Sequence, residues 1–180
     1  MDQKLDCFEN EAFNRGRSLW VEAIWRLVSF IIFENSLVHP YFIKRVILRI
    51  FGASVGRNVL IKPNVKITFP WKLAVADNTW IGERVWLDNL DQISIGKNVC
   101  ISQGAYLCTG NHNYKIETFD LITQKIIIED DVWIGAMAIV APGVVIGRSA
   151  VLGMGSMAAS DLEPNTVYLG NPAARIRNRD

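Results

Sequence analysis

An aliphatic residue returns at every sixth position over most of this chain. The frame runs Val55, Ile61, Ile67, slips by two residues, and resumes at Val75, Ile81, Leu87. A second slip of two leads to Ile95, Ile101, Leu107, and after a long break come Ile128, Ile134, Val140, Ile146, Leu152 and Ala158. A helix cannot bury such a pattern. At about 100° per residue, successive frame positions land about 120° apart around the axis, and no single apolar stripe survives. Short extended segments joined by tight corners can use it, each turn pairing its backbone with the next while the aliphatics stack inward.

The positions between the frame residues fit corners. Three residues after a frame position stand Asn58, Asn64, Asn78, Asn98, Gly104, Asp131, Gly143 and Gly155, types that tolerate left-handed backbone angles. One place further on, the residue is small or β-branched, as at Val59, Thr79, Ala105, Ala138 and Ser156. Glycine often follows the frame residue, as at Gly82, Gly96 and Gly135. Three hexapeptides make a triangular coil, so the frame predicts a β-solenoid of about five coils over residues 53–163. A helical segment, 1–52, precedes it, and a C-terminal tail, 164–180, follows.

Composition removes other classes. The chain has 180 residues, half of them hydrophobic, with a formal net charge of +1. That argues against disorder and leaves no basic footprint for nucleic acid. Three cysteines (Cys7, Cys100 and Cys108) without a Cys-x-x-Cys pair support neither a disulfide framework nor a zinc cluster. The expected setting is reduced and cytoplasmic. The first residues, Met1 to Glu9, lack the basic start and apolar core of a signal peptide.

Residues 18–33 read as a helix with Ser18 as N-cap and Glu22 and Arg26 spaced for an i,i+4 pair. The uninterrupted apolar run Leu27 to Phe33 is too short to span a bilayer. A second helical pattern, Tyr41 to Phe51, sets Lys44, Arg45 and Arg49 beside Phe42, Val46 and Ile50. Such a basic amphipathic helix suits packing on the scaffold end or on a neighbouring subunit, or peripheral contact with an anionic membrane. His39, in Val-His-Pro, reads as a structural residue in a connecting turn.

The repeat fails at one place in each of the first three coils, twenty residues apart. There Trp71, Asp91 and Asn111 replace the small apolar residue. With one coil per repeat these places stack along a single edge, which collects Lys72, Asp88, Asn89, Asp91 and His112. The segment 113–125 projects from the same edge. Polar residues at loop tips often only solvate them, and Lys72 and Asp88 read that way. His112, behind a Gly-Asn at the largest break, reads as functional. A lone imidazole with no nucleophile motif beside it suits general-base catalysis. A metal centre would need more histidines than the chain's two.

The chain resembles the hexapeptide-repeat acyltransferases over nearly its whole length. The resemblance is carried by Phe13-Asn-Arg-Gly-Arg-Ser18, Phe69-Pro-Trp-Lys-Leu73, Trp80-Ile-Gly-Glu83, Val132-Trp-Ile-Gly-Ala136 and Gly170-Asn-Pro-Ala173. Above all it is carried by Val99-Cys-Ile-Ser-Gln-Gly-Ala-Tyr-Leu-Cys-Thr-Gly-Asn-His112. It is nearest to the exopolysaccharide O-acetyltransferases of the colanic-acid type, within the maltose, galactoside and nodulation acetyltransferase group. The resemblance implies a left-handed parallel β-helix, where the general rule for parallel crossovers would give the right-handed form.

It further implies a homotrimer with active sites between subunits, acetyl-CoA as co-substrate and no metal. His112 would be the catalytic base acting on a sugar hydroxyl, with Asn89 and Asp91 at the acceptor. Ala136 would offer a backbone N–H to the thioester oxygen, and Trp133 would flank the pantetheine arm. Met154, Ala159 and Ser160 would line the coenzyme groove, and Arg177 would lie near its phosphates. Ser160 stands where relatives often carry lysine, and Ala174 where the galactoside enzymes carry arginine, with Arg175 one place along. The expected function is therefore acetylation of a sugar or lipid-linked glycan. The alternatives are acetylation of a small free sugar or xenobiotic, and a non-catalytic solenoid serving as an assembly scaffold.

Overall fold

The computed structural model describes residues 4–8, 10 and 13–180. The hexapeptide frame folds as a three-faced parallel β-solenoid. The first face stacks Ser54–Val55, Leu73–Val75, Ile93–Ile95, Ile126–Ile128 and Val145–Ile146. The second stacks Leu60–Ile61, Trp80–Ile81, Cys100–Ile101, Trp133–Ile134, Val151–Leu152 and Thr166–Leu169. The third stacks Lys66–Ile67, Trp86–Asp88, Tyr106–Cys108, Ile139–Val140 and Met157–Ala158.

Register shows where the repeat is interrupted. Leu60 pairs with Trp80 and Trp80 with Cys100, twenty residues apart. Cys100 then pairs with Trp133, thirty-three residues on, and Trp133 with Val151, eighteen on. Eighteen is three hexapeptides, so the surplus residues are the loops at the edge where the third face returns to the first. Every frame residue from Val55 to Ala158 is buried, none more than 7% exposed. Burial of each large aliphatic is worth roughly 1.5–3 kcal/mol. The sequence frame covers five coils, and Leu162 with Thr166–Leu169 adds a partial sixth.

All the corner residues named from the sequence have positive φ, and so do Arg84, Met137 and Ser149, whose types give no such signal. The glycines after the frame residues answer a second need. A Cβ on Gly135 would lie 2.5 Å from the Met154 backbone nitrogen, and one on Gly82 2.7 Å from that of Gln103. Adjacent coils leave no room there for a side chain.

Along each strand, alternate residues face opposite neighbours. Gly56, Leu60 and Lys66 donate forward to Val75 O, Thr79 O and Val85 O, while Asn78 and Arg84 donate back to Arg57 O and Pro63 O. The first-coil carbonyls that face away from the second coil have no coil beneath them. Two helices, α1 (Leu19–Ile32) and α2 (Tyr41–Ile50), close that end. Their inward side chains are donors. Trp25 Nε1 donates to Ile67 O at 3.0 Å, and Lys44 Nζ to Ile61 O at 3.2 Å and Lys62 O at 3.0 Å. Arg45 donates to Val59 O at 3.0 Å, and Arg49 to Val55 O at 2.6 Å and Gly56 O at 3.0 Å. Buried carbonyls need such partners, and lysine, arginine and tryptophan supply donors without competing acceptors.

Of the readings open for α2, this placement shows packing on the scaffold, with the basic side turned to the first coil and the apolar side outward. Lys44 is 1% exposed, and its burial brings the ammonium down to about 8. In α1 the Glu22–Arg26 pair forms at 3.0 Å, joined by Arg15 at 2.7 Å. Ser18 occupies the N-cap, but its side chain makes no capping hydrogen bond. Among the described residues no helix is long and apolar enough to cross a membrane. At the other end, the strand Ala174–Asn178 runs antiparallel to Thr166–Leu169 and covers the last coil's second face.

Candidate active site

The irregular edge is assembled from three successive coils. In the first, Trp71 and Lys72 hold a strap formed by residues 13–17. Trp71 Nε1 donates to Arg15 O and Lys72 Nζ to Asn14 O and Leu90 O, each at 2.6 Å. Gly16 lets the strap lie flat, because its φ is +79° and a Cβ would stand 3.0 Å from the Trp71 indole. Burial lowers the Lys72 ammonium, and the nearby Asp91 carboxylate acts in the opposite sense.

In the second coil Asp88 accepts from Thr68 Oγ1 at 3.0 Å and from Tyr106 OH at 2.9 Å. Burial first, then the neighbouring Cys108 and Asp88, raise the Tyr106 phenol well above its ordinary range, so it stays a donor. Asn89 is fully buried at 0% exposure. Its Oδ1 accepts from the backbone N–H of Thr68 (3.0 Å) and Phe69 (2.9 Å). Its Nδ2 donates to Phe69 O (2.5 Å) and Lys72 O (3.1 Å). This corrects the expectation that Asn89 touches an acceptor: its side chain staples one corner to the next and has no valence left over. Asp91 is half-buried on the same edge, with Oδ1 accepting from the Gln92 N–H at 2.6 Å.

The third coil carries the long insertion. Gly110–His112 pairs antiparallel with Leu121–Thr123, making a small hairpin that stands off the edge. His112 lies on that hairpin, half-buried, and its Nδ1 is 2.8 Å from Phe119 O. A carbonyl only accepts, so the ring proton of the neutral imidazole belongs on Nδ1 and Nε2 keeps its lone pair. Phe119 turns its carbonyl inward through a left-handed φ of 53°, and its ring stacks on the imidazole at 4.3 Å with 4° between planes. The Phe8 ring lies 5.9 Å away. The second histidine, His39, sits between α1 and α2 at the capped end of the prism.

The other expected site residues fall in two further places. Trp133, Ala136 and Met154 line a groove of about 470 Å³ at the edge between the second and third faces. Trp133 Nε1 donates to Ser102 Oγ at 3.0 Å. The Ala136 N–H finds no acceptor among the described residues. Ala159 and Ser160 are exposed on the irregular edge itself, two coils beyond the hairpin. Arg177 lies on the terminal strand, where its guanidinium meets Asp180 at 3.2 Å. Within one protomer these groups do not converge. The third face, from Met137 to Ala141, separates Ala136 from the irregular edge by five residues, roughly 15 Å of strand. Among the described residues no group of three His, Cys, Asp or Glu side chains is placed to hold a metal ion.

A family model described as bacterial transferase hexapeptide (six repeats) matches residues 125–157. WcaF of Escherichia coli (strain K12), named as a colanic acid biosynthesis acetyltransferase, is 41% identical over 169 residues, 94% of this chain and 92% of that protein. The chain belongs to the hexapeptide-repeat transferases. This acyltransferase has the family's left-handed parallel β-helix. A maltose O-acetyltransferase from Clostridium difficile 630 superposes with a TM-score of 0.80 at 27% identity, covering 91% of this chain and 90% of that one. A hexapeptide-repeat acetyltransferase from Vibrio cholerae O1 biovar eltor, solved with acetyl coenzyme A, gives 0.81 at 25% identity, covering 97% of each.

Proposed function

We propose that this acyltransferase moves an acetyl group from acetyl-CoA to a sugar hydroxyl of an exopolysaccharide, colanic-acid-like, or of its lipid-linked precursor. The observation that carries the reading is the imidazole of His112, held by the Phe119 carbonyl so that Nε2 is the basic nitrogen. The sugar oxygen attacks the thioester carbonyl as Nε2 takes its proton. The resulting oxyanion collapses, the C–S bond breaks, and the imidazolium returns the proton to the departing CoA thiolate. A base so placed contributes roughly 10²–10⁴-fold. The Ala136 N–H is the donor we assign to the oxyanion, and the coenzyme itself belongs along Trp133 and Met154.

The separation of these groups over two edges favours a site between copies. A cyclic head-to-tail contact sets the Ala136 edge of one protomer against the His112 edge of the next, and three prisms close such a ring. In that arrangement Ala159, Ser160 and Arg177 lie along the remainder of the coenzyme. Asp91 is retained as the carboxylate facing acceptor hydroxyls, and the reaction is placed in the cytoplasm, where acetyl-CoA is available. Thiol release measured against a panel of acceptors tests the reading. Lipid-linked oligosaccharides or glycan fragments should turn over faster than free monosaccharides. Turnover confined to a small xenobiotic alcohol would overturn the acceptor assignment.

A further inference from the structure

The helices that cap the solenoid are amphipathic in the reverse of the usual sense. A surface helix normally hides its apolar face and shows its charged one. Here α1 buries Glu22, Trp25 and Ser29, and α2 buries Lys44 and Leu48. Outward stand Trp20, Ile24 and Leu27 on α1, and Phe42, Val46 and Ile50 on α2. Trp20 is 81% exposed and Ile50 75%. On each helix the outward residues are spaced by three or four, so they form a continuous stripe. The turn between the helices continues the surface through Leu37 and Val38, which is 80% exposed. An apolar surface of this extent on a folded chain marks a place where something docks.

Charge says what docks. Residues 13–52 carry six Lys and Arg against two Asp and Glu, in a chain whose total is +1. Both acids are withdrawn. Glu22 is buried between Arg15 and Arg26, and half-buried Glu34 accepts from Ser29. Of the cations, Lys44, Arg45 and Arg49 are turned to the first coil, and Arg17 and Arg26 stand exposed on α1 and its approach. A second copy docked through the same stripe would set these arginines against one another. An anionic lipid surface receives both features at once. Apolar tips enter the boundary between head groups and acyl chains, aromatic rings such as Trp20 and Phe42 settle at that level, and arginines meet the phosphates.

We infer that the outer face of α1 and α2 is a docking surface for anionic phospholipid bilayers. It rests the capped end of the prism on the membrane without a spanning segment. The inward donors Lys44, Arg45 and Arg49 keep the stripe turned outward by anchoring α2 to the first coil. At about 4.8 Å per coil, the coil that carries His112 then lies roughly 10 Å above the first. The surface stands whatever hydroxyl the enzyme acylates.

Flotation of the full-length protein with vesicles tests this. One set is phosphatidylglycerol with phosphatidylethanolamine, the other phosphatidylcholine alone, each at low and high salt. Wild type should float with the anionic vesicles at low salt, at least tenfold more than with phosphatidylcholine, and weaken as salt rises. Two exposed positions, one on each helix, are changed together as L27E/I50E and, without added charge, as L27S/I50S. Both variants should lose flotation more than tenfold while keeping the wild-type circular dichroism, sedimentation coefficient and thiol release with a soluble acceptor. Absence of wild-type flotation at low salt would overturn the inference. So would variants that change the oligomeric state while floating normally, which would make the stripe a contact between copies.

Discussion

The helical cap and the hairpin at 110–123 are both departures from the hexapeptide frame, and each turns a basic side chain toward a backbone carbonyl. At the cap, Lys44 gives its protons to Ile61 O and Lys62 O and is withdrawn from solvent. On the hairpin, His112 commits one ring nitrogen to Phe119 O and stays half-exposed. The first is spent on structure because the end of a parallel ladder leaves acceptors without donors. The second keeps a lone pair because an antiparallel hairpin satisfies its own backbone and asks only half of the ring. In a solenoid, a polar group is free for chemistry when the neighbouring coil does not need it.

Removing the imidazole breaks this contrast most severely. His112→Ala should lower turnover in a thiol-release assay by about 10²–10⁴-fold, while circular dichroism and coenzyme binding stay as in wild type. A variant with undiminished turnover would put the base elsewhere. Asn89→Ala sits on the same edge and should behave in the opposite way. It leaves the Phe69 N–H and the Lys72 carbonyl without partners, while the Thr68 N–H still donates to Leu87 O and Phe69 O still accepts from the Lys72 N–H, at about 1–3 kcal/mol for each orphaned group that water does not reach. A loss of roughly 2–4 kcal/mol in denaturant unfolding is expected. An unchanged unfolding midpoint with a raised acceptor KM would restore Asn89 to the binding site.

Lys44 gives a subtler test through pH. Its folded value of about 8 lies below the ordinary 10.5, so the folded state holds fewer protons than the unfolded chain between those values. Stability should therefore rise as pH increases from about 8 to 10.5, by up to roughly 3 kcal/mol if nothing else titrates. Urea unfolding at several pH values should show this slope in wild type, and Lys44→Met should flatten it. The smallest effect is expected at Ser18, whose hydroxyl caps nothing. Ser18→Ala should change stability by less than about 0.5 kcal/mol, and a drop nearer the ~1 kcal/mol of a true N-cap would show that the capping bond forms in solution.

The frame was legible because burial in a solenoid is strictly periodic, so Val55 through Ala158 declare the core without any tertiary knowledge. The two-residue slips and the break after Thr109 also declared the irregular edge and singled out His112. The direction of α2 was not legible. Lys44, Arg45 and Arg49 look like a solvent face until one knows that a row of carbonyls lies beneath them. The resemblance puts Asn89 at the acceptor, and nothing in the sequence shows that its four partners are backbone groups of residues 68–72. Nothing in the types of Arg84, Met137 or Ser149 announced a left-handed corner, because those angles are imposed by the stacking of neighbouring coils.

Sequence alone thus determined the solenoid, its triangular cross-section and the edge that carries the imidazole, because each follows from a short-range pattern of side-chain types. Tertiary structure alone decided which polar groups are consumed, how the His112 ring is oriented, and which side of the capping helices faces outward. Those outcomes depend on backbone donors and acceptors brought from distant parts of the chain. Every residue carries the same backbone groups, so the sequence of side chains leaves their direction unmarked.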